Sequence, residues 1–85
     1  MTEPSLEALY LKVGDRVRFR DTRRWNEGLV EGVGRDGSVM LRDRHRAARS
    51  IAPDRLEVKV KTRRGSSAWQ PVVERAQGQR QLFET

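Results

Sequence analysis

The chain has 85 residues, with 18 Lys and Arg against 12 Asp and Glu, so that it carries a net charge of +6. Hydrophobic residues make up 35% of it, which is enough for one small core and no more. Cysteine is absent, which excludes disulfides, thiolate zinc sites and a cysteine nucleophile. The chain contains no apolar run of membrane-spanning length and no signal-peptide pattern, so we predict a soluble, cytoplasmic protein.

The N-terminal segment, residues 1–11, contains a short helical pattern over residues 5–11, with a proline and a serine as start signals. So short a helix is not stable by itself. We expect the segment either to pack Leu6 and Leu9 on the main body or to stay frayed.

The part of the chain that follows alternates polar and apolar residues. Over residues 16–20 this alternation predicts a strand with Val17 and Phe19 on one face and three arginines on the other. Residues 21–26 predict a long polar loop that contains Trp25.

Further strands are predicted at residues 28–33, 38–43, 47–51 and 56–61. The second of them is entered through an Asp-Gly pair at 36–37, a strong signal for a tight hairpin. The glycines of the predicted strand at residues 28–33 suit a bulge. A proline before the last predicts a single helical turn there.

These elements predict an all-β fold, a five-stranded barrel over residues 12–61. The predicted core consists of inward-facing strand residues: Val17, Phe19, Leu29, Val33, Val39, Leu41, Ile51, Leu56 and Val58.

Residues 62–85 are predicted to be a linker and a C-terminal tail. The linker composition lies at 62–67. Beyond it, a helical face and a short extra strand fit the apolar residues equally well. Trp69 is expected to lie against the barrel. From about Gln77 a polar run without periodicity predicts disorder.

Several stretches share their pattern with one class of small barrel. They are Lys12-Val-Gly-Asp-Arg-Val-Arg-Phe19, Trp25, Gly28-Leu-Val-Glu-Gly-Val33, Asp36-Gly37, Leu41-Arg-Asp43 and Ile51-Ala-Pro-Asp-Arg-Leu-Glu-Val58. Residues 12–58 thus resemble the Tudor and KOW branch of SH3-like barrels. The resemblance implies five strands, with the first loop and the third hairpin near one another at one rim.

The resemblance extends to the barrel and not to the best-known activities of these groups. Tudor barrels that bind methylated lysine or arginine hold the cation among aromatic rings. Trp25 matches one such ring, but the later aromatics are missing and Arg44 stands where a tyrosine is expected. The loop glycine of the KOW motif has no counterpart in residues 23–26.

Catalysis is not predicted. The single histidine, His45, lies between two arginines in an expected turn and has no second metal ligand with a suitable spacing. The serines lack a nucleophile-elbow context, and no phosphate-binding glycine motif occurs. We therefore predict no enzyme activity, no metal and no cofactor.

Basic charge is the remaining functional signal. Residues 12–64 hold 16 basic and 8 acidic side chains, a net charge of +8. Cations around an exposed ring suit a phosphate backbone with a stacked base. We predict a module that binds DNA or RNA with weak sequence preference, through Arg23, Arg24, Trp25, Arg42, Arg44 and Arg46.

Three other interpretations stay open. In the first, the arginine-rich faces of the barrel are only solvated, and Trp25 packs over one end of the barrel. A protein–protein adaptor or assembly module would use Trp25 as an anchor in the groove beside the first loop. A phage, mobile-element or bacterial accessory protein is equally compatible with a chain of this size. Salt separates nucleic-acid binding from the adaptor, because only the former should weaken steeply as salt rises.

Overall fold

The computed structural model describes residues 4–84, with side chains described as far as residue 81. The first three residues of the predicted N-terminal segment and Thr85 lie outside this range. The strands are β1 (Arg16–Asp21), β2 (Arg24–Val33), β3 (Val39–Asp43), β4 (Ala48–Ile51), β5 (Leu56–Lys61) and β6 (Ser67–Pro71). The other elements of residues 4–84 are two 3-10 helices, Glu7–Leu9 and Pro53–Arg55, and the C-terminal helix α1 (Val72–Glu84).

All the strands belong to one antiparallel sheet in the order β4-β3-β2-β1-β5-β6. Strands β1 to β4 form a meander, and β5 returns to pair with the free side of β1. The prediction of an all-β fold is therefore confirmed in a coarse form, as a mostly β domain with one C-terminal helix. The sheet has six strands rather than five, and within residues 4–84 no strand pairing closes it.

The sheet is strongly curled. Arg49 of β4 contacts Asp21 at the end of β1 with 3.1 Å between Nη2 and Oδ2, although β3 and β2 lie between these strands in the sheet. A flat sheet would hold them about 14 Å apart. The Arg49 guanidinium also lies 5.3 Å from the centroid of the Phe19 ring. One face of the sheet, called here the inner face, is therefore concave.

The core lies on this inner face. Its buried residues are Leu11, Val17, Phe19, Val30, Val39, Leu41, Ile51, Leu56, Val58 and Val72, with Ala76 of α1 also buried. Seven of the nine predicted core residues are among them. Burial of this apolar surface is the main stabilising contribution to so small a domain.

The two exceptions lie on β2. Leu29 is 48% exposed, whereas its neighbour Val30 is only 1% exposed, so the predicted inward orientation of Leu29 is wrong. The register of β2 against β3 shifts between Val30 and Gly32, which makes Glu31 the extra residue of a β-bulge. The bulge restores the inward direction at Val33, which is half-buried.

The predicted long first loop is also wrong. Asp21 pairs with Arg24, so that only Thr22 and Arg23 form the turn between β1 and β2, and Trp25 lies within a strand. Thr22 adopts a φ of 53°. Neither turn residue is glycine or asparagine, the residues that usually mark a two-residue hairpin turn, so the sequence carries little signal for it.

The described part of the N-terminal segment, residues 4–11, packs on the body of the protein, as one of the two alternatives expected. Its helix is a short 3-10 helix, and Leu6 and Leu9 pack against the core. It is tied to α1 by two arginines: Arg75 Nη1 donates to the Tyr10 carbonyl at 2.6 Å, and Arg80 Nη2 donates to the Ala8 carbonyl at 3.2 Å.

The C-terminal part differs from the prediction. The predicted linker is a hairpin turn, in which the Thr62 amide donates to the Ser66 carbonyl at 2.8 Å and Gly65 adopts a φ of 82°. It leads into β6, which extends the sheet beyond the predicted boundary at Lys61. Both alternatives for the apolar residues occur in succession, a strand and then a helix. The prediction of disorder from Gln77 is wrong, since that stretch lies within α1.

Candidate functional site

Two of the predicted site residues, Trp25 and Arg42, lie on the face of the sheet opposite the core, called here the outer face. Strand registers define this face, because Arg18 of β1 pairs directly with Glu27 of β2 and with Glu57 of β5. Alternation along each strand then places on it Arg16, Arg18, Arg20, Trp25, Glu27, Leu29, Met40, Arg42, Glu57, Lys59, Lys61 and Trp69. Basic and aromatic side chains therefore share one surface.

A groove of about 410 Å³ lies beside the turn between β3 and β4. It is lined by Arg16, Glu27, Gly28, Leu29, Arg42, Asp43, Arg44 and Arg46. In register, the exposed Leu29 lies between Arg16 on one neighbouring strand and Arg42 on the other. The groove thus combines an apolar residue with four guanidinium groups, and three of the six predicted site residues line it.

Internal hydrogen bonds fix the turn that carries two of these arginines. Asp43 Oδ1 accepts from the amides of His45 at 2.9 Å and Ala47 at 3.0 Å. Arg42 Nη1 donates to the Arg46 carbonyl at 3.0 Å, while its Nε lies 3.2 Å from Glu31 Oε2. Arg42 is therefore engaged within the fold and holds the turn. Arg44 and Arg46 are exposed.

The pKa of the Asp43 carboxyl lies below its usual value of 3.8, because the amide of Ala47 donates to its charged form. The His45 amide and the charges of His45 and Arg49 act in the same direction. A carboxyl whose pKa is lower in the folded state stabilises the fold above its unfolded pKa. That stabilisation is lost as pH falls through the folded value.

We therefore expect acid to weaken the wild-type turn through Asp43. Asp43→Asn keeps an Oδ1 acceptor but cannot ionise. The melting temperature of the wild type should exceed that of D43N near pH 6, and the difference should shrink as pH falls below about 4. Melting followed by circular dichroism from pH 6 to pH 2 measures this. Two parallel curves would show that ionisation of Asp43 contributes nothing to the turn.

A second cluster on the outer face contains both tryptophans. The Arg18 guanidinium lies 4.2 Å from the centroid of the Trp25 ring and 4.7 Å from that of Trp69. Glu57 holds the same guanidinium, with 2.6 Å between Arg18 Nη2 and Glu57 Oε1. Trp25, the predicted stacking residue, is thus part of this cluster and does not line the groove. The next outer-face residue of β2 after Trp25 is Glu27, which lines the groove.

The remaining predicted site residues, Arg23 and Arg24, lie at the tip of the β1–β2 hairpin. Both are exposed, and neither lines the groove. Because Gly28 pairs with Asp43, this tip and the β3–β4 turn extend from the same end of the sheet. The structure therefore divides the predicted set among the groove, the tryptophan cluster and the hairpin tip.

Sequence reasoning missed Arg16, Arg18 and Trp69 as site residues. The alternation of residues 16–20 already placed both arginines on one face, and that signal points to the outer face. No local signal places Trp69 beside Trp25, since their proximity depends on β6 pairing with β5.

No family model, curated protein or solved structure matches the chain. Among residues 4–84 there is no group of three or more His, Cys, Asp or Glu placed to hold a metal ion. In the same range no helix is long and apolar enough to cross a membrane.

Proposed function

We propose that the protein is a small, non-enzymatic binding domain that binds nucleic acid on the outer face of its sheet. Binding occurs mainly through phosphates and has weak sequence preference.

We further propose an SH3-like barrel of the Tudor and KOW type as the fold, with β6 as an added strand. The β1–β4 meander, the return of β5 to β1 and the 3-10 helix directly before β5 support it.

The observation that carries this function is the arrangement of charge at the groove. Four arginines line it against the carboxylates of Glu27 and Asp43, and the Asp43 carboxylate already accepts two backbone amides. Arg44 and Arg46 are exposed at its edge, and neither forms an ion pair within the described residues. Guanidinium groups suit phosphate oxygens, because their planar donors match the geometry of the anion.

The placement of Trp25 supports the same function. It lies on the same strand and face as the groove residues Glu27 and Leu29, and it is 41% exposed. A chain of phosphates seated at the groove would therefore bring its bases close to an exposed aromatic ring. Exposed rings beside cations are the usual means of binding nucleic acid without sequence preference. We place this activity in the cytoplasm.

The test removes the two exposed turn arginines together. Arg44→Ala with Arg46→Ala should weaken binding of a short oligonucleotide about tenfold or more. The slope of log affinity against log salt should fall by about one unit for each phosphate that the variant no longer binds. Fluorescence anisotropy between about 50 and 200 mM salt measures both quantities.

The chain offers a matched control. Arg63 and Arg64 lie in the turn between β5 and β6, and both are exposed. Since β5 runs antiparallel to β1, this turn lies at the opposite end of the sheet from the groove. Arg63→Ala with Arg64→Ala removes the same charge and should leave affinity nearly unchanged. Equal losses of affinity in the two double variants would show that binding depends on the overall positive charge and not on the groove.

A protein adaptor remains the alternative on the same face, because Leu29 and Met40 are 48% and 47% exposed there. An apolar contact of this kind responds weakly to salt. If neither single-stranded nor duplex oligonucleotides bind at low salt, nucleic-acid binding is wrong and the adaptor takes its place.

A further inference from the structure

The two tryptophans come from distant parts of the chain and meet on the outer face. Trp25 lies on β2, and Trp69 lies on β6, where it pairs with Lys59 of β5. Both rings contact the guanidinium of Arg18, at 4.2 Å and 4.7 Å from the ring centroids. Their centroids are therefore no further apart than the sum of these two distances, although β1 and β5 separate their strands.

Burial in the core does not explain this arrangement. The core occupies the inner face, whereas Trp25 is 41% exposed and Trp69 is half-buried on the other side of the sheet. Neither tryptophan belongs to the buried cluster. Two large aromatic residues that lie close together and keep part of their surface exposed are typical of a binding surface.

Arg18 is held in place and acts on the rings rather than on a ligand. Its Nε donates to Glu57 Oε1 at 2.6 Å, and its Nη2 lies 2.6 Å from the same oxygen. Both side chains are only about a quarter exposed, at 26% and 24%. A charge-assisted pair of this kind fixes the guanidinium, and the cation–π contacts in turn fix the two rings. Arg18 and Glu57 are therefore positioning residues.

Free cations flank this cluster. Arg20 lies 5.9 Å from the centroid of the Trp25 ring, and Lys59 lies 5.9 Å from that of Trp69. Neither belongs to an ion pair within the described residues. Each ring thus has a cation beside it that is available for a phosphate.

We infer that Trp25 and Trp69, held by Arg18 and Glu57, form a stacking platform for unpaired bases, so that the ligand is single-stranded nucleic acid. This inference rests on the proposed function. Internal bases of a duplex are stacked on both faces, so their faces are closed to an aromatic ring on a sheet. A duplex would bind through its phosphates alone, whereas a single strand binds through stacking as well.

The test compares three probes of equal strand length on the wild-type protein, at equal phosphate concentration. They are single-stranded oligothymidylate of about ten nucleotides, a strand of the same length that lacks its bases, and a duplex whose strands have this length. We expect oligothymidylate to bind at least about fivefold more tightly than the other two. It should also quench the tryptophan fluorescence, and the abasic strand should not.

Variants then assign the stacking to its residues. Trp69→Ala should weaken oligothymidylate binding about fivefold or more and leave abasic-strand binding unchanged. Trp69→Phe keeps a ring and should retain most of the affinity, which also covers the case in which W69A does not fold. Glu57→Gln should change the tryptophan emission and lower the preference for unpaired bases. The control is Val73→Ala, which truncates a side chain of α1 that is 37% exposed.

The outcomes separate the two proposals. Equal, salt-sensitive binding of all three probes would overturn the stacking platform and leave phosphate binding in place. Tighter binding of the duplex would do the same. Binding of none of the probes would overturn both proposals.

Discussion

Replacing Phe19 by Ala is expected to cost about 3–5 kcal/mol of the free energy of unfolding. Phe19 is 1% exposed and lies on β1, between β2 and β5, so its ring contributes to the centre of the inner face. Truncation removes its transfer free energy and leaves a cavity that flanking strands cannot fill. Small domains have a total stability of about 5–15 kcal/mol, so F19A should be either largely unfolded or only marginally stable.

Chemical denaturation followed by circular dichroism measures this loss of stability directly. Met40→Ala is the control, because Met40 is a large strand residue on the outer face and is 47% exposed. Its truncation should cost much less than that of Phe19, since little buried surface disappears. If F19A unfolds at the same denaturant concentration as the wild type, Phe19 is not part of the core.

Replacing Gly28 by Ala is expected to cost about 1–3 kcal/mol, because no space exists for the added methyl group. A Cβ atom at this position would lie 2.6 Å from Leu41 Cδ1 and 2.7 Å from the carbonyl oxygen of Arg42. Leu41 is fully buried, so moving its side chain would disturb the packing of the core. The Arg42 carbonyl is main chain on a neighbouring strand and can shift only if β3 shifts with it.

Gly32→Ala is the matched control on the same strand. A Cβ atom at Gly32 meets nothing within 4 Å. Both substitutions reduce the freedom of the unfolded chain equally, so the difference between them reports the steric contact at Gly28. Thermal unfolding should place G28A well below G32A. If the two melt together, the close approach of β2 and β3 at Gly28 is not present in solution.

Local patterns predicted the elements whose signal lies within a few residues. The alternation of residues 16–20 set the inward direction of Val17 and Phe19, since side chains on a strand alternate strictly between faces. The Asp-Gly pair at 36–37 marked the β2–β3 turn, where Gly37 adopts a φ of 87°. The proline at 53 marked the 3-10 helix before β5.

Pairing with the neighbouring strands β1 and β3 decided the direction of the residues on β2. Leu29 and Val30 are both apolar, so either of them could face the core. The local pattern therefore does not show which one does. The register of β1, with Arg16 opposite Leu29, turns Leu29 outward. The bulge at Glu31 then returns Val33 toward the core. A change of register by one residue reverses every side chain, and only the neighbouring strands determine it.

The chemistry of the candidate site follows from its residue types, whereas its geometry depends on the tertiary fold. Composition and spacing identified an arginine-rich surface with Trp25 and the arginines of the β3–β4 turn. Only the fold placed Arg16 beside Leu29 and brought Trp69 next to Trp25 across β1 and β5. Charge and aromaticity are properties of individual residues. The proximity of residues far apart in the chain depends on strand order, which results from burial of the whole inner face at once.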